Sequence, residues 1–283
     1  MKKMSALIMR YLDESTAFPE EYCQKLAHHI KDVGVMYATI VPERYKENLQ
    51  QNALEIALFF NNCFYLAHTL VGPPWKMTLK RTNADYFNEV VMDQLYDLRM
   101  VGMEKISAYL EKTKEMIVHK ISSSPLPWTV PAFNEFDRSV NDVVIHLHRL
   151  MDNWLDILPR KMYEHSMCCL IETLSDAMMK QFFLDATPIS SDVAYLLAMR
   201  FQCAINAILR MFKEDIGLDT KVKGWTKFVL LPKIFRAHLL EIRALWTESK
   251  ELTQNFTCEE IRQIIKMRFP DNKYRINVLM DIQ

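Results

Sequence analysis

From Lys46 to Val71 (KENLQQNALEIALFFNNCFYLAHTLV) the apolar positions recur at helical spacing. Leu49, Ala53, Ile56, Phe60, Cys63, Ala67 and Leu70 follow at intervals of four, three, four, three, four and three, so all seven share one stripe. Leu54, Leu58, Phe59, Tyr65 and Leu66 cover much of the remaining girth, and Asn52, Glu55, Asn62 and Thr69 leave only a narrow polar strip. A helix this apolar needs cover on several sides, and the pattern therefore predicts a central helix inside a bundle.

The same reading extends along the chain. A short helix is expected over residues 3–13, Pro19 suits the first turn of the next, and Pro42 is expected to start the long helix. Gly72-Pro73-Pro74 should end it, with Asn83 as the next N-cap. A second long helix runs from Asp85 to about Ile121, its buried side marked by Phe87, Val91, Leu95, Leu98, Gly102, Ile106, Leu110 and Ile117. The segment SSSPLPWTVP, Ser122–Pro131, is the clearest break, which suggests a bundle over 1–121, a linker over 122–133 and a second bundle over 134–283.

In that second part, Asn134 can cap a helix carrying Phe136, Val140, Val143, Leu147, Leu150, Trp154 and Leu158, and Pro159 opens another with Met162, Cys169, Thr173 and Met179 on one face. Ser190 or Ser191 caps a helix through Tyr195, Leu196, Met199, Cys203, Ile208 and Met211. Gly217 and Gly224 bracket a polar link, and Pro232 opens a helix with Phe235, Leu239, Ile242 and Trp246. Thr257 followed by Glu260 is a capping-box pattern ahead of Ile261, Ile264 and Ile265; Phe269-Pro270-Asp271-Asn272 ends that helix, and the final residues form one more.

Composition agrees with helices. Half of the 283 residues are hydrophobic, a quarter are charged, and only five are glycine, too few for strand-rich folds or phosphate loops. Thirty-five basic residues balance thirty-five acidic ones, so no global field favours nucleic acid or anionic lipid. Six cysteines without a CxxC or zinc-ligand spacing read as thiols of a reducing compartment, with Cys63 a small buried hydrophobe. The opening MKKMSALIMRYL starts like a signal peptide, but Arg10 and Asp13 interrupt it, and no stretch reaches the roughly 20 apolar residues of a membrane span.

His146 and His148, two apart, point to opposite sides of a helix; His165 and Cys169, four apart, face the same way but are two ligands where zinc expects four. There is no Glu-x-x-His pair, no G-x-S-x-G, no glycine phosphate cradle and no DDxxD-like cluster. These readings imply a protein that is not an enzyme, with no catalytic residue, metal site or cofactor. Most of the eighteen methionines read as core filler. Lys221, Lys223, Lys227, Lys233 and Arg236 form a local basic stretch, either a solvated link or a surface for an acidic partner.

Three blocks resemble one family. VPERYKENLQ and NNCFYLAHTL within Val41–Leu70 carry Asn61-Asn62-Cys63 and Tyr65-x-Ala67-His68; HRLMDNWLDILPRKMYEHSM carries Trp154, Asp156, Leu158-Pro159 and Tyr163. The third comprises Trp225, His238–Trp246 and FTCEEIRQIIKMRFPDNKYRINVL, with Phe256, Glu260, Ile264-Ile265 and Arg275-x-Asn277. In order and spacing these are similar to the C-terminal half of the Zeste-white ten family of kinetochore and vesicle-tethering proteins, from about Val35 onward. The family's N-terminal coiled half is missing, and the loop Val71–Asn83 departs from its pattern.

The resemblance implies an elongated stack of antiparallel helical bundles of the multisubunit tethering-complex type, acting as a scaffold. The implied partner is a Rod-like large subunit, either the kinetochore Rod or its relative in the endoplasmic reticulum tether. Zwilch-like and Rint-like subunits are implied indirectly or through the family's N-terminal half, and dynein–dynactin and SNAREs of the endoplasmic reticulum at the level of whole complexes. The implied locations are the cytoplasm, the mitotic kinetochore and spindle, and the periphery of the endoplasmic reticulum membrane, with no direct contact to nucleic acid. Aromatic anchors dominate such interfaces, which makes Trp225 and Phe228, in the expected exposed link, and Trp246 and Phe269 the candidate partner-binding residues. Two other readings stay open: an all-helical enzyme with an unrecognised site between bundles, and a helical adaptor unrelated to tethering.

Overall fold

The computed structural model describes residues 19–71, 84–185, 187–248 and 250–282, with 6, 8–10 and 14 nearer the N-terminus. Among the described residues every regular element is a helix and no strand occurs, the all-α class that the spacing predicts. Much of the helix expected over 3–13, the Gly72-Pro73-Pro74 stop and the Asn83 cap lie outside the described residues. The chain forms two compact units, Met1–Glu111 with Asp152–Tyr163 and Lys112–Met151 with Glu164–Gln283. Residues 122–133, expected to link two bundles, belong to the second unit by this division. There the buried Gln181 amide donates to the Ser124 carbonyl at 3.0 Å, and the Trp128 ring meets Phe182 edge-on at 5.5 Å.

One polar cap, at Asn52, divides the apolar run of the first unit. Helix α1 spans Glu20–Arg44 and passes through Pro42, which therefore does not start the long helix. The long helix itself is two: α2, Lys46–Gln51, and α3, Ala53–Val71. Asn52 breaks them with extended backbone (φ −109, ψ 112), and its Oδ1 accepts from Leu54 N at 3.0 Å and Glu55 N at 3.3 Å. An asparagine read as part of a polar strip is in fact an N-cap, satisfying donors that a helix start leaves open.

The predicted stripe of α3 is buried: Ile56, Phe60, Cys63 and Ala67 are at most 2% exposed. Helix α4, Ala84–Ser122, packs on it through Gly102, where an added Cβ would stand 3.0 Å from Cys63 Cβ. Trp154, at the end of α5 (Val130–Trp154), is fully buried; its indole N–H donates to Ala53 O at 2.8 Å and its ring meets Tyr109 edge-on at 5.9 Å. Of the second apolar set Phe59 and Leu66 are buried as well, but the expected cover on several sides is incomplete, since Leu54, Leu58 and Tyr65 are 37%, 38% and 50% exposed. Here α3 is a one-sided core helix.

In the second unit α5 begins at Val130, a turn before the expected Asn134 cap. It is followed by α6, Arg160–Phe183, and by α7, Ser191–Leu209, capped as expected by the Ser190 hydroxyl accepting from Val193 N. The buried face of α7 differs from the predicted one over its first three turns, while Ile208 and Met211 are buried as expected. Val193, Ala194, Leu197, Ala198, Phe201, Ala204, Ile205 and Ile208 are inside, while Tyr195, Met199 and Cys203 are exposed. By length and composition α7 is apolar enough to cross a membrane, which the sequence reading denied to every stretch; its inner face packs on α9, Trp225–Arg236.

Ahead of α9, a single turn, α8 (Leu218–Lys221), occupies the expected polar link, with Leu218 and Val222 buried. Helix α9 starts at Trp225, because Gly224 adopts a left-handed conformation (φ 76) that ends the preceding turn. Pro232 lies inside α9 and not at its start, and extended backbone at Ala237 separates α9 from α10, Leu239–Glu248. After α11, Lys250–Asn255, the Thr257–Glu260 capping box opens α12, Cys258–Arg268, as predicted, and Asn272 caps α13, Lys273–Asp281. A run of rings, Trp128–Phe182–Phe235–Phe201–Phe228–Trp225, joins α6, α7 and α9 with centroids 4.7–6.0 Å apart. Arg268 closes the end of α9 by donating from Nη1 to Ile234 O at 2.9 Å and Ala237 O at 2.7 Å.

Candidate functional site

The four aromatic residues expected to face a partner are placed mostly inside. Trp225 is 6% exposed, Phe228 fully buried and Trp246 7% exposed, so the expected exposed link before the last helices is corrected. The physical reason is the Gly224 turn: it makes Trp225 the first residue of a packed helix instead of part of a linker. Phe269 alone is half-buried, with the Arg268 guanidinium 4.8 Å above its ring.

The basic stretch is sorted by the fold. Lys221 Nζ pairs with Glu164 Oε2 at 2.7 Å. Lys227 pairs with Glu260 and sits over the rings of Phe183 and Phe256 at 5.3 and 5.2 Å. Burial would raise the Glu260 carboxyl, but the Lys227 hydrogen bond and the Thr257 N–H together hold it below the ordinary value. Lys223, Lys233 and Arg236 differ: all three are exposed, and among the described residues none has a carboxylate partner.

Val229, Lys233 and Arg236 are at i, i+4 and i+7 of α9 and share a face. That face borders a groove of about 490 Å³ between α9 and α10, closed on one side by Gln202 of α7. Pro232, Ala237 and Leu245 supply apolar lining. Arg236 Nη2 rests against Met199 Sδ at 3.2 Å, and Met199 and Val229 are each 39% exposed at the rim. The single carboxylate in the lining, Glu241, already accepts from His238 N at 2.7 Å at the start of α10. Two unneutralised cations over an apolar floor can hold a negatively charged group carried on an apolar body. The two cations are legible in the sequence but the groove is not, because the expected helix start at Pro232 cuts Val229 from the face it shares with them.

His165 Nε2 and Cys169 Sγ lie 3.7 Å apart, so the predicted pair does meet. Among the described residues no group of three potential metal ligands forms around it or elsewhere.

Residues 138–282 match the model of the ZW10 C-terminal helical domain, and residues 1–119 that of the centromere/kinetochore protein zw10, C-terminal. The chain is 24% identical over its whole length to the centromere/kinetochore protein zw10 homolog of Mus musculus, covering 38% of that protein. It is 24% identical over 87% of its length to centromere/kinetochore protein zw10 of Drosophila melanogaster, and 19% identical over 98% to the Arabidopsis thaliana homolog, covering 33% and 38% of those proteins. The chain thus spans little more than a third of the length of these curated relatives.

Proposed function

This chain belongs to the family of ZW10 C-terminal helical domains, and on that premise we propose that it is a non-catalytic scaffold of a kinetochore complex. The observation that carries the reading is the match of two family models, one after the other, over residues 1–119 and 138–282, with relatives in animals and a plant named as centromere/kinetochore proteins. The mechanism is burial of helical surface against a large, Rod-like subunit, through which Zwilch-like proteins and dynein–dynactin are engaged at the spindle checkpoint. The same surface serves a second assembly by holding a Rod-related subunit, with a Rint-like subunit joined indirectly; that assembly retains Golgi-derived vesicles at the endoplasmic reticulum near its SNAREs, the chain associating with the membrane peripherally.

The test is affinity capture with the full chain from interphase and mitotic extracts, followed by identification of the large subunits retained. Recovery of a Rod-like protein in mitosis supports the kinetochore role, and recovery of a tethering subunit in interphase supports the second. Recovery of neither removes the scaffold reading. Of the aromatic anchors, Phe269 is the one with surface left for a partner, so Phe269→Ala should weaken capture without unfolding the chain, checked by its thermal transition.

A further inference from the structure

We propose that the groove of α7, α9 and α10 receives an acidic amphipathic segment of a partner protein, its apolar side chain on Pro232, Ala237 and Leu245 and its carboxylates on Lys233 and Arg236. This rests on the scaffold reading and names the partner's chemistry. Charge complementarity carries it. Of the five cations between 221 and 236, Lys221 and Lys227 are neutralised by this chain's own glutamates; Lys223, Lys233 and Arg236 have no carboxylate among the described residues, and the last two stand together at the groove. Glu241 makes no ion pair with either: its carboxylate caps α10 at the His238 N–H, and the lining stays net positive with two cations against one carboxylate.

The size of the surface argues for a peptide and against a small anion. A cavity of about 490 Å³ takes one or two large side chains, and beside it on α7 Met199, in contact with Arg236, and Tyr195, one turn away on the same face, are 39% and 58% exposed. Residues one turn apart on the rim match anchors at i and i+4 of a docked helix, the recognition mode in which an apolar face fills a groove and flanking charges fix its register. Arg236, held against Met199, is already positioned for such a carboxylate.

The experiment titrates the full chain into a fluorescein-labelled amphipathic peptide of about four turns, leucines on one face and glutamates beside them, read by anisotropy. Binding should weaken with added salt and fall at least about tenfold for Lys233→Glu/Arg236→Glu and for a peptide with glutamine at every glutamate. Val229→Arg, which narrows the groove and leaves both cations, should weaken it too. All three positions are exposed, so unchanged thermal transitions will show that the variants fold. No binding by the wild-type chain, or equal binding by the charge-reversed one, overturns the proposal. Concentration-dependent dimerisation that Val229→Arg abolishes overturns it as well, giving the groove to a second copy of the chain. Capture from extracts separates the two readings: a large subunit retained equally by wild type and Lys233→Glu/Arg236→Glu leaves the scaffold standing and sinks the groove.

Discussion

Helices α3 and α7 are each 19 residues long and apolar around most of their girth, yet their spacing points inward in one and outward in the other. In α3 the predicted stripe is the buried one, because its large residues, Ile56 and Phe60, face the core. In α7 Tyr195 and Met199 face outward, while three alanines, 194, 198 and 204, lie inside among Val193, Leu197, Phe201, Ile205 and Ile208. Small residues let two helices approach closely, so burial follows the contact a face can make and not the bulk it carries. The contact in α3 is made the opposite way, by a glycine on the facing helix: Gly102 lets α4 reach Cys63.

The largest effects come from removing the ring that each helix packs against. Phe235, 1% exposed, joins Phe201 of α7 to Phe182 of α6, and Trp154 is fully buried with its N–H on Ala53 O. Phe235→Ala and Trp154→Ala should each cost about 3–5 kcal/mol, read as a fall in urea midpoint. Next, Ala198→Leu tests the small-residue face itself and should destabilise by about 1–3 kcal/mol through overpacking. Tyr195→Ser on the outer face of the same helix should stay within about 0.5 kcal/mol. If the two changes cost the same, the face assignment fails.

How far these features can be read from the sequence depends on how local their causes are. The Thr257–Glu260 box and the Ser190 cap lie within four residues of the donors they satisfy, and both form where the sequence puts them. The all-α class was equally accessible, from spacing and from five glycines. What the sequence hides is tertiary. Asn52 caps a helix in the middle of an apolar run, and Pro42 and Pro232 are carried inside helices. Trp225 is buried because a left-handed glycine turns the chain just before it. The groove depended on that same helix start, so its two cations were visible and its floor was not.

A smaller effect separates the local cap from the charge that completes it. Thr257→Ala should cost about 1 kcal/mol at neutral pH. The Glu260 carboxyl is lowered in the folded chain from an ordinary 4.5, against burial, by Lys227 and the Thr257 N–H. A depressed folded value means that its contribution is present above the unfolded value and is lost as pH falls through the folded one. The stability gap between wild type and Glu260→Gln should therefore hold near neutrality and close below about pH 4.5, measured as thermal midpoints across that range. A gap that persists at lower pH would assign the stabilisation to packing instead of charge.

The mildest test perturbs nothing, because each predicted stripe contains a cysteine. Cys63 on α3 is fully buried, and burial pushes its thiol up to about 12. At pH 8 its thiolate fraction is then on the order of one in ten thousand, before access is counted. Cys203 occupies the matching place on the predicted stripe of α7, and there it is exposed. A thiol-specific alkylating reagent on the folded chain, with peptides resolved by mass spectrometry, should label Cys203 early and Cys63 only on unfolding. Equal labelling would mean that the two stripes face the same environment. The contrast drawn between them would then fail where it is simplest to see, because stripes of the same spacing would not sort into an inner and an outer face.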